Sequence, residues 1–181
     1  SLILTNGNIS TGANTLALAS TGKVDRTNGH VVGKLQKNVA TGAGVARTFE
    51  IGTASNYVPI TVTFANVSTA GNLVASTTPG DHPNIASGNI DATKSVNRYW
   101  TLTNSGIVFD AYDAVFNFVP GELDPGASPG VFIVERYSGA WSGLTEGTRA
   151  SSSTGILGAT GFGDFAIGED ETAAPAPAFE L

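Results

Sequence analysis

The stretch Ser95–Asn104, SVNRYWTLTN, is the strongest strand pattern in the chain and carries one of its two tryptophans. Every second residue of a strand lies on the same face. The mainly apolar face consists of Val96, Arg98, Trp100 and Leu102. A second run of β-forming residues, Ile107–Val119, follows a turn at 104–106 that contains glycine, so the two runs predict a long hairpin. We therefore expect an all-β fold with the Trp100 strand at its centre.

Composition agrees with this class. The 181 residues are enough for one large β domain with a sizeable core. Twenty-three glycines and only 13% charged residues fit many short strands joined by tight turns. No segment keeps a 3.6-residue period over three turns, so we expect very little helix. The prediction is an antiparallel β-sandwich, Greek-key or jelly-roll-like, of about ten strands.

Charge and residue usage exclude several classes of function. The net charge is −6 and the nine basic residues are scattered, so we expect no nucleic-acid partner. The absence of cysteine excludes disulfides, cysteine-ligated metals and a thiol nucleophile. Because no apolar stretch approaches about 20 residues, we expect no membrane insertion.

Three predicted parts divide the chain: an N-terminal strand segment 1–20, a sandwich domain 21–168, and a linker 169–181. The linker is acidic and then rich in alanine and proline, which is typical of a stiff extended segment. Within the domain, Tyr57–Ala65 alternates most clearly, and Pro59 indicates a strand start or an edge. The runs Val131–Tyr137 and Ala140–Leu144 predict a hairpin that bends at Ser138-Gly139.

The N-terminal segment contains three short predicted strands, Leu2–Thr5, Asn8–Ser10 and Thr15–Ala19, separated by turns. The spacing is typical of a β-solenoid rung, but two rungs are too few to stand alone. Two interpretations remain open: a hairpin that closes the sandwich, or a strand that pairs with a neighbouring molecule. In the second interpretation the candidate assembly residues are Leu2, Ile3, Leu4 and Ile9.

Catalytic and metal-binding patterns are weak. His30 and His82 have no third ligand at a recognisable spacing, so both are interpreted as polar turn residues. No Gly-x-Ser-x-Gly nucleophile elbow occurs, and we predict that the chain is not an enzyme. We expect no cofactor, although a structural calcium ion has suitable oxygen ligands. These ligands are Asp110, Asp113, Glu122 and Asp124.

Aromatic residues suggest a second kind of surface. Trp100 shares its face with Val96 and Leu102 and is predicted to lie in the core. Trp141 follows a Ser-Gly turn, so Trp141 and Tyr137 are the candidate residues for stacking on sugar rings. Arg98 lies on the Trp100 face, where an unpaired charge is costly. It should pair with a carboxylate such as Glu50 or Glu135, or stack on an aromatic ring.

Several stretches together resemble a known family. They are NGNISTGANTLAL (6–18), GHVVGKLQK (29–37), TFEIGTASNYVPITVTF (48–64), NRYWTLTNSG (97–106) and FGDFAIGE (162–169). This succession resembles the C-terminal β domain of large secreted or surface proteins of Bacteroidetes- and Ignavibacteria-like bacteria. There it precedes a type IX secretion sorting domain, which often opens with a proline-rich linker and a triplet like Phe179-Glu180-Leu181. The Asn-Pro-rich motif that follows in the family is not present in this sequence. The resemblance implies export and a non-enzymatic role.

The leading functional hypothesis is an extracellular structural or assembly module of a bacterial surface protein or filament. Its partners would be other copies of itself or neighbouring surface-protein domains, joined by strand addition through Leu2–Thr5. The alternative is a carbohydrate-binding module of a secreted multidomain protein, with a polysaccharide as its partner.

Overall fold

The computed structural model describes residues 1–172, and two facing β-sheets contain most of them. The strands of this part of the chain are β1 (Leu2–Leu4), β2 (Ile9–Ala17), β3 (Val24–Arg26), β4 (Val31–Val39), β5 (Gly42–Phe49), β6 (Ile51–Gly52), β7 (Ile60–Thr69), β8 (Gly71–Pro79), β9 (Ile90–Ser95), β10 (Arg98–Ser105), β11 (Val108–Phe109), β12 (Tyr112–Asn117), β13 (Ile133–Tyr137), β14 (Trp141–Gly143), β15 (Thr145–Ala150), β16 (Ser153–Ala159) and β17 (Gly163–Asp170). Short 3-10 turns lie at Ile85–Ser87, Pro120–Glu122 and Pro129–Val131. The all-β sandwich and the scarcity of helix are confirmed, and the strands are shorter and more numerous than predicted.

The larger sheet has nine strands. Its main order is β14-β13-β17-β10-β8-β4-β2, with β6 paired to β4 and β9 paired to β17. The smaller sheet runs β11-β7-β12-β16-β15, with β5 paired to β7. The pairs are antiparallel except β2 with β4 and β4 with β6, which are parallel. A separate parallel pair, β1 with β3, lies outside both sheets.

Trp100 lies at the centre of the larger sheet, as predicted. Its strand β10 is paired on one side with β8 and on the other with β17. The indole is fully buried, and its ring centroid lies 5.4 Å from that of Phe116 in the smaller sheet. The other apolar face residues of this stretch, Val96 and Leu102, are buried with it. The period-2 pattern therefore identified the core face of this strand correctly.

The predicted hairpin between Ser95–Asn104 and Ile107–Val119 is wrong. β10 and β12 lie in opposite sheets and meet through Trp100 and Phe116, because each strand buries one face on the same core. Asn104 directs the chain across: its amide nitrogen donates to the carbonyl of Ile107, and its amide oxygen accepts from the Ile107 N–H, both at 2.9 Å. The hairpin of β13 and β14 is confirmed, with Tyr137 opposite Trp141.

Arg98 pairs with Glu122, and the predicted partners Glu50 and Glu135 are wrong. The guanidinium binds both carboxylate oxygens of Glu122, with Nε donating to Oε2 at 3.0 Å. Burial raises the pKa of Glu122, but hydrogen bonds from Arg98 and Asn56 together with the Arg98 charge lower it more, so the pKa falls below its usual value. Glu122 belongs to a loop far along the chain, which is why local pattern did not reveal the pair.

Two strands, β2 and β17, lie close to the predicted domain boundaries. β17 continues to Asp170, two residues past the predicted limit at Gly168. The rest of the predicted linker, residues 173–181, lies outside the described residues. At the N-terminus, the predicted strands Asn8–Ser10 and Thr15–Ala19 form the single strand β2, which is the last strand in the main order of the larger sheet. The segment 1–20 is therefore continuous with the sandwich.

Candidate functional site

The N-terminal segment forms one turn of a parallel β coil, and this turn stacks on a second turn formed by the residues that follow it. β1 pairs with β3 so that Leu2 lies beside Val24, and β2 pairs with β4 so that Ile9 lies beside Val31. Both partners lie 22 residues further along the chain. We call residues 1–22 the first coil and residues 23–39 the second coil. The coils therefore follow the same course from Leu2 to Ser10. From Thr15, which lies beside Lys34, the spacing falls to 19 residues, so the first coil contains three extra residues in the middle of β2.

A short sequence repeat, which strand periodicity alone does not reveal, signals this stacking. The corner of the first coil reads Thr5-Asn6-Gly7-Asn8-Ile9, and that of the second reads Thr27-Asn28-Gly29-His30-Val31. Four of the five positions are identical or differ only between the β-branched residues isoleucine and valine. A search for self-similarity at a period of 20 to 50 residues would have found it. The spacing of the repeat equals the spacing of the paired strands.

The two corners contact each other closely. The amide nitrogen of Asn28 donates to the amide oxygen of Asn6 at 3.3 Å. A Cβ atom on Gly29 would lie 2.1 Å from the Gly7 carbonyl oxygen, so no larger residue fits there. Gly7 itself has a φ of 78°, a conformation that favours glycine. At the stacked corners, asparagine supplies the hydrogen bond between the coils, and glycine permits the close approach at Gly29 and the positive φ at Gly7.

Side chains beneath the corner fill the interior of the coils. Leu4 is only 3% exposed. The Arg26 guanidinium lies over the Tyr57 ring, 3.4 Å from its centroid, a cation–π contact. Burial raises the pKa of Tyr57, and the charge of Arg26 opposes that shift. His30 is buried and contacts the carbonyl oxygen of Thr53 through Nε2 at 2.6 Å. His30 is therefore a structural residue at the start of β4.

The outer edge of the first coil is open within residues 1–172. Leu2 donates its N–H to Lys23 at 2.7 Å, and the Leu4 carbonyl accepts from Thr27 at 3.0 Å, so both face β3. Backbone groups alternate along a strand, and those of Ile3 therefore point to the opposite side. The Ile3 side chain is 68% exposed. Directly after β2, the N–H of Leu18 donates to the carbonyl of Gln36 at 3.0 Å. The backbone groups of the preceding residue, Ala17, therefore point to the same open edge as those of Ile3.

The structure divides the predicted assembly residues into two groups. Leu4 is buried, and Leu2 and Ile9 are half-buried, so these three contribute apolar contacts within the chain. Only Ile3 faces outward, with both its side chain and its backbone groups. The apolar alternation at the N-terminus thus reflects the interior of the coil, and the open edge depends on backbone groups that the pattern does not reveal.

A second candidate surface surrounds His82. This buried imidazole contacts three rings, with centroids 5.0 Å away for Tyr99, 4.8 Å for Tyr137 and 4.9 Å for Trp141. Its Nδ1 accepts from the Asn84 N–H at 3.1 Å. The other nitrogen, Nε2, then carries the proton and donates to Asp164 at 3.2 Å. His82 is not simply a polar turn residue, because it forms the centre of an aromatic cluster.

Tyr137 and Trp141 hold the loop at 80–89. The indole N–H donates to the Asn84 carbonyl at 2.7 Å, and the Asn84 amide donates to the Tyr137 hydroxyl at 2.7 Å. The Trp141 ring also packs against Gly88, where an added Cβ would lie 3.1 Å from it. The two ring planes meet at 60°, so they do not form a flat platform. Sugar stacking by this pair stays a prediction.

The four predicted calcium ligands have separate partners. The carboxylate of Asp113 accepts from Gly158, whereas that of Asp124 accepts from Ser95 and Asn97. Within residues 1–172, no three His, Asp or Glu side chains converge on a common metal position. Asp81 and Asp124 both lie within hydrogen-bond distance of the Ser95 hydroxyl, and burial together with the Asp124 charge raises the pKa of Asp81. A hydroxyl has one proton, so it donates to one carboxylate at a time.

Comparisons of the chain with protein-family models, curated proteins and solved structures find no match. Residues 1–172 contain no helix of the length and hydropathy that spans a bilayer.

Proposed function

We propose that this chain is a non-enzymatic structural module of an exported bacterial surface protein or extracellular filament. It joins its neighbour by β-strand addition at the open edge of the first coil. The observation that carries this proposal is the outward direction of the Ile3 backbone groups. An unpaired strand edge is a template for another strand, with backbone hydrogen bonds supplying affinity and side chains supplying specificity.

The roles of the candidate chemical groups also support an assembly role. His30 and His82, the two histidines, are both buried and bound to groups of their own chain. Arg98 and Glu122 neutralise each other in a pair that anchors a loop. These side chains stabilise the fold, whereas the outward backbone groups of Ile3 have no strand partner among residues 1–172. Export follows from the resemblance described above, including the triplet at 179–181.

The test is a substitution that removes one backbone donor from the edge. Ile3→Pro eliminates the outward N–H and leaves the bonds of Leu2 and Leu4 to β3 in place. Ile3→Ala, the matched control, shortens the same side chain but retains the N–H. Assembly of the native secreted protein is measured by electron microscopy and size-exclusion chromatography. We expect Ile3→Pro to block assembly and Ile3→Ala to permit it; assembly that survives Ile3→Pro, or deletion of residues 1–10, would refute strand addition.

A further inference from the structure

Among residues 1–172, the first coil is the outermost of the stack, and its upper side resembles its lower side. Its lower side accepts the second coil through two strands, β3 and β4, and through the Asn-Gly corner between them. Its upper side presents the equivalent features: the outward backbone of Ile3 in β1, the outward backbone of Ala17 in β2, and the exposed Asn6 corner. All three features belong to the 22 residues of the first coil, so a single partner can contact them at the same time.

The direction of the hydrogen bond between the two corners indicates which group a further coil would offer to Asn6. Asn28 uses its amide nitrogen to reach the amide oxygen of Asn6. Among residues 1–172, the amide nitrogen of Asn6 has no hydrogen-bond partner, and Asn6 is exposed. An amide group carries both donors and an acceptor, so stacked asparagines can form a continuous ladder. The next member would offer its amide oxygen to Asn6.

On the other side of the stack, the edge of β4 is closed. β4 pairs with β2 on its outer edge. On its inner edge, Val31 and Val32 pair with the two-residue parallel strand β6, and the antiparallel strand β8 pairs with the rest, where Leu35 lies beside Ala75. Beyond β8 lies β10 with the buried Trp100. A complete parallel coil needs the free edges of both β3 and β4, and that of β4 is occupied, so a coil cannot be added on the side of the sandwich. Growth of this stack is confined to the edge of the first coil.

We propose that this edge receives a further parallel β coil of the same build, so that the chain is the terminal cap of a parallel β-solenoid. The partner is a segment of 22 residues with inward apolar residues at the positions of Leu2 and Leu4 and a Thr-Asn-Gly corner above Asn6. This inference rests on the proposed function and specifies its partner. A single added strand would cover either β1 or β2, whereas a coil pairs with both and continues the asparagine ladder. Repeat proteins need such end units, because an uncovered terminal edge exposes unpaired backbone groups.

The experiment places a second copy of residues 1–22 directly before Ser1 of the full chain. Residues Ser1 and Leu2 of the original then occupy the positions that Lys23 and Val24 have relative to the first coil. If the copy stacks, the amide of Ile3 in the original coil becomes hydrogen-bonded. We expect its hydrogen exchange to slow at least about tenfold, and the unfolding midpoint Tm to rise by about 2–4 °C.

Two controls keep the outcome interpretable. A scrambled 22-residue extension should leave the exchange of Ile3 and the Tm unchanged. Ile3→Pro in the original coil of the duplicated chain should remove the gain in Tm, because the accepting edge has lost its donor. Amide protection of Trp100 and its neighbours, measured in the same samples, verifies that each host domain is folded.

The outcomes separate this inference from the proposed function. Protection of Ile3 that requires the native copy supports the solenoid cap. An Ile3 amide that exchanges as fast with the native copy as with the scrambled one overturns it. If Ile3→Pro in the parent protein still blocks native assembly in that case, strand addition stands and only its partner is wrong. If assembly is also unaffected, both proposals fail.

Discussion

The coils and the Trp100 core are built on opposite principles. Around Trp100, antiparallel strands lie on both sides, the ring packs against the facing sheet, and the nearby charge of Arg98 is neutralised by Glu122. In the first coil the pairing is parallel, one edge is unpaired among residues 1–172, and Ile3 is exposed. The core is thus closed on every side, whereas the coil repeats a pattern that a further turn can extend.

This difference predicts where substitutions act. A change in the core removes contacts that no neighbour replaces, so its effect appears in the free energy of unfolding. A change on the open edge removes no contact within the chain, so its effect appears in association. The following substitutions test that separation, beginning with the largest expected effect.

Trp100→Ala should lower the free energy of unfolding by about 3–5 kcal/mol, because it leaves a large cavity between the sheets. Ile3→Ala, on the exposed edge, should change it by less than about 0.5 kcal/mol. Urea unfolding measures both. A loss for Trp100→Ala as small as that for Ile3→Ala would mean that the sandwich core lies elsewhere.

Glu122→Ala should cost about 3 kcal/mol, since it leaves the buried guanidinium of Arg98 without its counter-ion. The matched control is Glu146→Ala. The Glu146 Oε2 atom lies 3.9 Å from Arg149 Nη2 in a partly exposed ion pair. Its removal should lower the free energy of unfolding by less than about 1 kcal/mol. Chemical denaturation of the two variants compares the pairs directly. Equal losses would contradict the difference in burial.

The same pair should make stability depend on acid. Hydrogen bonds and the Arg98 charge outweigh burial and lower the pKa of Glu122 in the folded state. A lowered pKa contributes stability above the unfolded value of 4.5, and this contribution disappears as the pH falls through the folded value. The stability gap between wild type and Glu122→Gln should therefore narrow from about pH 7 to about pH 3. A gap that stays constant over this range would argue against an ionised Glu122.

Glycine substitutions at the stacked corners should differ in size. Gly29→Ala places a methyl group against the Gly7 carbonyl and should cost about 1–3 kcal/mol. Gly7→Ala meets no atom within 4 Å and should cost only about 1 kcal/mol, from the positive φ. Faster hydrogen exchange at Ile9 would show that the coils have separated. If Gly7→Ala were the more damaging change, the close corner contact would be wrong.

Asn28→Ala should have the smallest effect of the changes at the stacked corners, about 0.5–1 kcal/mol, since the hydrogen bond from the Asn28 amide to Asn6 is exposed. In the duplicated chain, Asn6→Ala of the original coil should reduce the gain in Tm, because Asn6 then links two corners. If Asn6→Ala lowered the Tm by the same amount with and without the extra coil, the asparagines would not form a ladder.

Alternating residues predicted much of the sandwich but not its connections. The buried residues of Tyr57–Ala65 and of the Trp100 strand were identified from period alone, and both predictions are confirmed. The predicted hairpin between Ser95–Asn104 and Ile107–Val119 is wrong. A pattern shows which face of a strand is buried, but it does not show whether two strands pair in one sheet or pack face to face. The predicted partners of Arg98 are wrong for a related reason: its actual partner, Glu122, lies 24 residues away in the sequence.

By itself, the sequence determined the all-β class, the buried face of the central strands and the low helix content, since each depends on local periodicity and turn residues. It also contained the repeated Thr-Asn-Gly corner. Only the tertiary structure decided that the two corners stack, that His82 joins three aromatic rings, and that Ile3 directs its backbone groups away from β3. These features depend on which strands become neighbours, and neighbours are selected by packing over the whole chain rather than by any one segment.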